Sequence, residues 1–267
     1  MDTSVAQGPR VVRRSAVGPT DGLLAVGLLV VGAWSVAAIL ELTGHAAALH
    51  HHALIEPGAP PLWVGVPLFL VAWLLMVGAM MVPASLRAIE VALAGAPTVA
   101  GQPRSALSGF LAAYGLVWTA FGLVAFVGDM GLHALVHASP WLAARPFLIE
   151  AAVLALAGAY QLAPIKRRGL EACRHPKPVS AEAAEASGSR RGFQAGLDHG
   201  VDCIASSWAL MLLMFAAGVA NLGWMAVLTV AMAYEARGRF GRQAALGFGI
   251  ALLWLALIAV TGVVIAF

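Results

Sequence analysis

The chain has little charge and little cysteine for its length. Of its 267 residues, 11% are charged and 61% are hydrophobic, and the only two cysteines are Cys173 and Cys203. Because a soluble domain has roughly 25% charged residues, the shortage of charge indicates lipid-facing surface rather than a large soluble core. Two cysteines outside any CxxC pair exclude a disulfide framework. Both are expected on or near the cytoplasmic side, where a structural disulfide is not expected.

The sequence also lacks the motifs of several function classes. It contains no GxSxG, no P-loop, no dinucleotide-binding fingerprint and no series of alternating ten-residue strands. Its net charge of +3 does not indicate nucleic-acid binding, because the basic residues lie in short loops between apolar runs, as the positive-inside rule describes. Those apolar runs recur at about 20 residues, the length that crosses a bilayer as a helix.

We therefore predict an all-α membrane bundle of about seven transmembrane helices. Lysines and arginines concentrate before the first span and after the second, fourth and sixth, which places the N-terminus in the cytoplasm. Residues 1–21 form a basic cytoplasmic tail in this prediction, and 22–267 form one transmembrane domain with a flexible cytoplasmic loop at 165–195. The expected location is the cell membrane. The predicted spans are about 22–42, 62–83, 106–128, 146–163, 199–218, 222–234 and 244–266.

A first group of metal-ligand side chains lies at the predicted external ends of the spans. Three of them follow one another at four-residue spacing and so share one helix face. Carboxylates with imidazoles suit Zn, Cu, Fe or Ni, which predicts one external metal pocket. The structural alternative is that Asp129 only ends its span and Glu150 pairs with Arg145. The members of this acid–histidine group are Asp129, His133, His137, Glu150, Glu41 and His45.

A second possible metal site opens the predicted fifth span at the cytoplasmic side. His199 and Cys203 share a helix face, and Asp202 lies three residues from His199. Met76 and Met80 on the second span could add thioethers, which are soft ligands suited to Cu(I). The structural alternative is that acids cap the helix start, Cys203 is a small buried apolar group and the methionines fill gaps between helices.

Three segments, taken in order, carry a family resemblance. They read WLLMVGAMMVP from Trp73, AGAYQLAPIKRRGLEACRHP from Ala157 and GLDHGVDCIASSWALMLLMFAAGVANLGWMAVLTVAMAYE from Gly196. They resemble the DUF2182 family of metal-binding integral membrane proteins over about residues 62–235. The resemblance implies a metal-binding membrane bundle and leaves its biochemical role open. Serines at 206 and 207 and a glycine at 169 stand where family members carry further cysteines.

Together these patterns predict a membrane protein that binds a transition metal, copper foremost with zinc or iron as alternatives, and handles or transports it. The expected partners are the lipid bilayer and the metal ion, with other membrane proteins or further copies of the chain. A membrane metallo-oxygenase, or a subunit of one, is the alternative, because the Asp129–His133 spacing also resembles the ligands of membrane copper monooxygenase subunits. A structural subunit without metal is a further alternative. No catalytic residue is assigned.

Overall fold

A computed structural model of the chain describes residues 19–45, 51–55, 58–94, 102–177, 187–218 and 221–261, and all regular structure in these ranges is helical. The prediction of an all-α bundle is confirmed. The helices are α1 (Pro19–Leu42), α2 (His51–Ile55), α3 (Leu62–Ala84), α4 (Leu86–Ala94), α5 (Gln102–Ala138), α6 (Pro140–Ala143), α7 (Phe147–Leu162), α8 (Pro164–Arg174), α9 (Gly188–Ala217), α10 (Leu222–Arg237) and α11 (Gly241–Val260).

The number of membrane spans is lower than predicted within this described part of the chain. Five helices, α1, α3, α5, α9 and α11, are long and apolar enough to cross a membrane. A sixth span results if α7 and α8, which are bent by 65° at their junction, count as one. The count of seven is not confirmed, because α7 and α10 have 16 residues each. Such a helix is about 24 Å long, whereas the hydrocarbon layer is about 30 Å thick.

The two longest helices, α5 and α9, run side by side in the same direction. Gly192 lies against Ala106 near their starts, and Gly200 lies against Val117 further along. Glycine permits this close approach because it has no Cβ to separate the two backbones. The first halves of both helices therefore lie at one end of the bundle, and their last turns lie at the other.

Aromatic side chains fill the centre between α3, α5 and α9. Trp73 Nε1 donates a hydrogen bond to the carbonyl oxygen of Trp118 at 2.8 Å. The ring of Phe69 lies 4.5 Å from that of Phe126 and 5.9 Å from that of Phe215. Since Phe69 precedes Trp73 while Phe126 follows Trp118, α3 runs opposite to α5. The last turns of α3 therefore lie beside the first half of α5.

The segment predicted as a flexible loop at 165–195 is helical at both ends. Pro164 begins α8, since proline is well suited to the first turn of a helix. Lys166, Leu170 and Cys173 are buried on one face of α8, at the spacing of an amphipathic helix. The loop prediction is therefore wrong for 165–174. The many basic residues of this segment indicated a solvated loop, although one face of the helix is buried. At the other end, α9 begins at Gly188, so the loop prediction is also wrong for 188–195. Residues 178–186 lie outside the described residues.

Candidate metal centre

Side chains with metal-binding atoms surround a small void where α3, α8, α9 and α10 meet, and those from α10 are Met232 and Glu235. We call Met81, Cys173, His199 and Cys203 the sulfur cluster; all four line this void, whose volume is about 20 Å³. A cavity must offer roughly 10–15 Å³ to hold one water molecule. The void therefore has room for a single water molecule or ion.

Three sulfur atoms come together in the cluster from three different helices. Cys203 Sγ lies 4.0 Å from Met81 Sδ, and Cys173 lines the same void as both of these residues. Cys173 Sγ lies 3.6 Å from the hydroxyl oxygen of Ser206. Both cysteines are buried and neither is in a disulfide. Two thiols and two thioethers, those of Met81 and Met232, thus line one void.

The imidazole of His199 is held by stacking rather than by hydrogen bonds. Its ring lies 5.9 Å from that of Phe110 and 5.8 Å from that of Tyr114, nearly parallel to the latter. The residue is 5% exposed, and among the described residues Nε2 has no hydrogen-bond partner. Buried polar atoms are normally hydrogen-bonded. A buried ring nitrogen beside an ion-sized void is therefore available to a ligand.

The hydroxyl of Tyr114 connects the cluster to the end of α3. Tyr114 Oη lies 3.1 Å from Cys203 Sγ, and it accepts a hydrogen bond from Ser85 Oγ at 3.0 Å. With its oxygen accepting from the serine, the tyrosine hydroxyl is able to donate its own proton towards the cysteine sulfur.

A buried ion pair closes one side of the void. Lys166 Nζ lies 2.6 Å from Glu235 Oε2, and Gln161 Nε2 donates to Glu235 Oε1 at 2.8 Å. Lys166 and Glu235 are each 1% exposed. Arg174 donates to the backbone carbonyl oxygens of Glu235 and Gly238 at 2.8 and 3.0 Å, at the C-terminal end of α10. These contacts tie α8, and with it Cys173, to α10.

The acid–histidine group lies at the opposite end of the bundle. Asp129, His133, His137 and Glu150 line one cavity of about 340 Å³. His133 Nδ1 is 3.5 Å from Asp129 Oδ1 and 3.0 Å from the Asp129 carbonyl oxygen, and His137 is exposed. Within the described ranges, no three His, Cys, Asp or Glu side chains are arranged to hold a metal ion, either here or among Cys173, His199 and Cys203 of the sulfur cluster. The cavity thus brings these four residues to one wall without forming a coordination shell.

The remaining predicted ligands of this group lie elsewhere. Glu41 and His45 are exposed at and just after the end of α1 and are not among the residues that line the 340 Å³ cavity. His45 Nδ1 is instead 3.0 Å from the hydroxyl oxygen of Thr43. The expectation that all six residues converge is therefore corrected to four.

The sulfur cluster also differs from the predicted second site. His199 and Cys203 line the void as expected, but Asp202, Met76 and Met80 do not. The two methionines are buried in the core around α3, and Asp202 is partly exposed. Met81, the next residue after Met80, places its sulfur 4.0 Å from Cys203 Sγ on α9, and Met232 of α10 lines the void as well.

Sequence reasoning missed several residues at this end of the bundle. Their signal was present, since Met81, Cys173 and Glu235 belong to the three segments that carry the family resemblance, one in each. The missed residues are Met81, Tyr114, Gln161, Lys166, Cys173 and Glu235.

A family model matches most of the chain. The family model PpoB2, described as a copper chaperone, matches residues 70–259, which include every member of the sulfur cluster. No curated protein and no solved structure matches the chain. The match supports the expected association with copper, and the likeness to DUF2182 stays a resemblance. Because the match covers more than half of the chain, the protein belongs to the PpoB2 copper chaperone family.

Proposed function

We propose that this protein is a membrane copper chaperone that carries Cu(I) as cargo in the sulfur cluster. Cys173, Cys203 and Met81 are the proposed ligands, and His199 is an additional one. The observation that carries the proposal is the meeting of three sulfur atoms at an ion-sized void in a chain that belongs to a copper chaperone family.

The donor atoms fit Cu(I) better than the other metals considered. Thiolates and thioethers are soft ligands that favour Cu(I), whereas carboxylates favour harder ions. Bonds from a metal to sulfur are about 2.3 Å long, so one ion fits between sulfurs that lie 4.0 Å apart, as those of Cys203 and Met81 do. A purely structural role for the cysteines and methionine does not account for the buried His199 Nε2 beside the void.

The surroundings of Cys203 suit reversible binding. A thiol must lose its proton to become a metal ligand, and a hydrogen bond from the Tyr114 hydroxyl, 3.1 Å away, stabilises the resulting thiolate. A thioether is a neutral ligand, so it leaves without taking up a proton when an incoming thiolate displaces it. A chaperone requires this combination of a firm hold and an exchangeable ligand, because it must release copper to a partner protein.

The four acid–histidine residues at the other end have a second candidate role, the binding of a harder divalent ion such as Zn(II). They line one common cavity of about 340 Å³, and their oxygen and nitrogen donors suit a harder ion.

Basic residues concentrate at the sulfur-cluster end, which favours a cytoplasmic position for that end in the cell membrane. The metallo-oxygenase alternative would place its metal at the acid–histidine cavity. The variant H133A/H137A therefore tests this alternative as well as the second candidate role.

The proposal is tested by measuring Cu(I) binding to detergent-purified protein against a chromophoric chelator. We expect the intact chain to retain a single Cu(I), C173S/C203S to lose it, and H133A/H137A to keep it. Elution volume and thermal unfolding of each variant control for folding. Equal retention by the intact chain and C173S/C203S would refute the proposal, as would loss of Cu(I) only in H133A/H137A.

A further inference from the structure

A second and larger cavity lies next to the sulfur cluster and is rich in positive charge. We call it the basic pocket; its volume is about 490 Å³, within the usual range for small-molecule sites. It is formed by α8, the start of α11 and the turn before α11. Glu171 is the one acidic residue among those described as lining it. Its basic residues are Lys166, Arg167, Arg168, Arg174, His175, Arg239 and Arg242.

Some of these cations already have partners, and others do not. Lys166 pairs with Glu235, Arg174 binds backbone carbonyls, and Glu171 lies 3.1 Å from His175. Arg168 and Arg242 are exposed, and in the part of the chain that the structure describes neither is in an ion pair with a carboxylate. A concave surface lined by one sign of charge concentrates ions of the opposite sign. The pocket therefore suits a small anion.

The basic pocket and the void of the sulfur cluster share a wall. Lys166 and Leu170 line both cavities, and Cys173 lies one helical turn after Leu170 on the same buried face of α8. A ligand in the basic pocket is thus separated from the two thiols by a single layer of side chains.

We propose that the basic pocket receives copper in the form of an anionic Cu(I)–thiolate complex of low molecular weight. The inference rests on the proposed function, and it adds the chemical class of the copper donor. A Cu(I) ion bound by two thiolates carries a net negative charge, and donor thiols with carboxylate groups add more. That charge matches Arg168 and Arg242, and the shared wall at Lys166 and Leu170 places the donor next to the acceptor thiols.

The transfer is a balanced exchange of ligands. Two copper–sulfur bonds to the donor break and two form to Cys173 and Cys203. Each cysteine thiol gives its proton to the departing donor thiolate, which leaves as a neutral thiol. Copper remains Cu(I), so no oxidant or reductant is involved, and the total charge is the same before and after transfer.

The test compares the rates at which two sulfur-ligated donors of opposite charge load the detergent-purified protein. The Cu(I) complex of glutathione is anionic, and that of cysteamine is cationic. We expect R168Q/R242Q to slow loading from the glutathione complex about tenfold, a typical loss of electrostatic steering. Loading from the cysteamine complex should not slow, and the Cu(I) content at equilibrium should not change.

R87Q/R190Q is the matched control, because it removes two exposed arginines that do not line the pocket. It should load like the intact chain from both donors. The inference is overturned if R168Q/R242Q loads at the rate of the intact chain from glutathione, or if it slows both donors equally. Failure of the proposed function is a separate result, in which neither donor delivers copper that depends on Cys173 and Cys203.

Discussion

The two groups of metal-ligand side chains differ in how they are assembled. The acid–histidine group takes three of its four cavity residues from a single helix, α5, and His137 is exposed. The sulfur cluster takes its members from α3, α8 and α9 and is buried around a void of about 20 Å³. On α9, Cys203 lines the void and Phe215 lines the acid–histidine cavity; the 12 residues between them correspond to about 18 Å at 1.5 Å per residue. Side chains aligned on one helix face approach an ion from one side only, whereas side chains from three helices face a common centre from several sides.

The largest effect on stability is expected from the buried ion pair between Lys166 and Glu235. This pair lies at the sulfur-cluster end of the bundle and has no counterpart described at the acid–histidine end. Lys166→Met leaves the Glu235 carboxylate buried with Gln161 as its remaining side-chain partner. Losing one member of a buried pair costs about 3–5 kcal/mol, so we expect a clear fall in the unfolding temperature in detergent. K166M/E235Q removes both charges and should recover most of the loss. Unfolding of K166M at the temperature of the intact chain would contradict the assigned role.

A smaller effect, on Cu(I) affinity, is expected to differ between two neighbouring methionines of α3. Met81→Leu removes the thioether beside Cys203, whereas Met80→Leu alters a buried side chain that does not line the void. We expect M81L to weaken Cu(I) binding at least about tenfold, the lower end of the losses seen when residues that support a metal ligand are changed, and M80L to leave it unchanged. Competition with a chelator measures both. Equal weakening in the two variants would show that core packing, and not the sulfur atom, is responsible.

Much of the fold follows from apolar runs, but the number of spans does not. The runs identify every long helix, because each must satisfy its backbone hydrogen bonds internally in lipid. Hydropathy does not show that α7 ends at Leu162 and that the chain turns by 65° into α8. The basic residues at 166–168 indicated a solvated loop, although Lys166 is buried against Glu235. A buried charge is recognisable only when its partner, 69 residues away, is known.

The site was predictable to the same limited extent. Spacing identified His199 and Cys203 because both lie on one face of one helix. It could not select Met81 over Met76 and Met80, since periodicity within α3 does not reveal which face meets α9. Cys173 was missed because α8 was interpreted as a loop. Spacing also gave more weight to the acid–histidine line than its geometry supports.

A more modest effect is expected from the hydroxyl of Tyr114. Tyr114→Phe keeps the ring stacked on His199 and removes the hydrogen bond to Cys203. A hydrogen bond of this kind contributes roughly 1 kcal/mol, so Cu(I) affinity should fall about fivefold. Tyr160→Phe is the control, because its hydroxyl binds the Ala205 carbonyl oxygen instead. An unchanged affinity in Y114F would remove the tyrosine from the account of thiolate stabilisation.

The smallest expected effect on Cu(I) lies at the far end of the bundle. H133A/H137A should bind Cu(I) like the intact chain, because neither imidazole lies near the sulfur atoms. The same variant should lose any binding of Zn(II) at the 340 Å³ cavity, which equilibrium dialysis would measure. A loss of Cu(I) binding in this variant would reverse the ranking of the two sites.

X-ray absorption at the copper edge tests the central claim most directly, because it reports the atoms bound to the metal. For protein loaded with a single Cu(I), the account predicts a first shell dominated by sulfur, and a loss of that sulfur signal in C173S/C203S. A first shell of nitrogen and oxygen alone would contradict it and would place copper with the acid–histidine group.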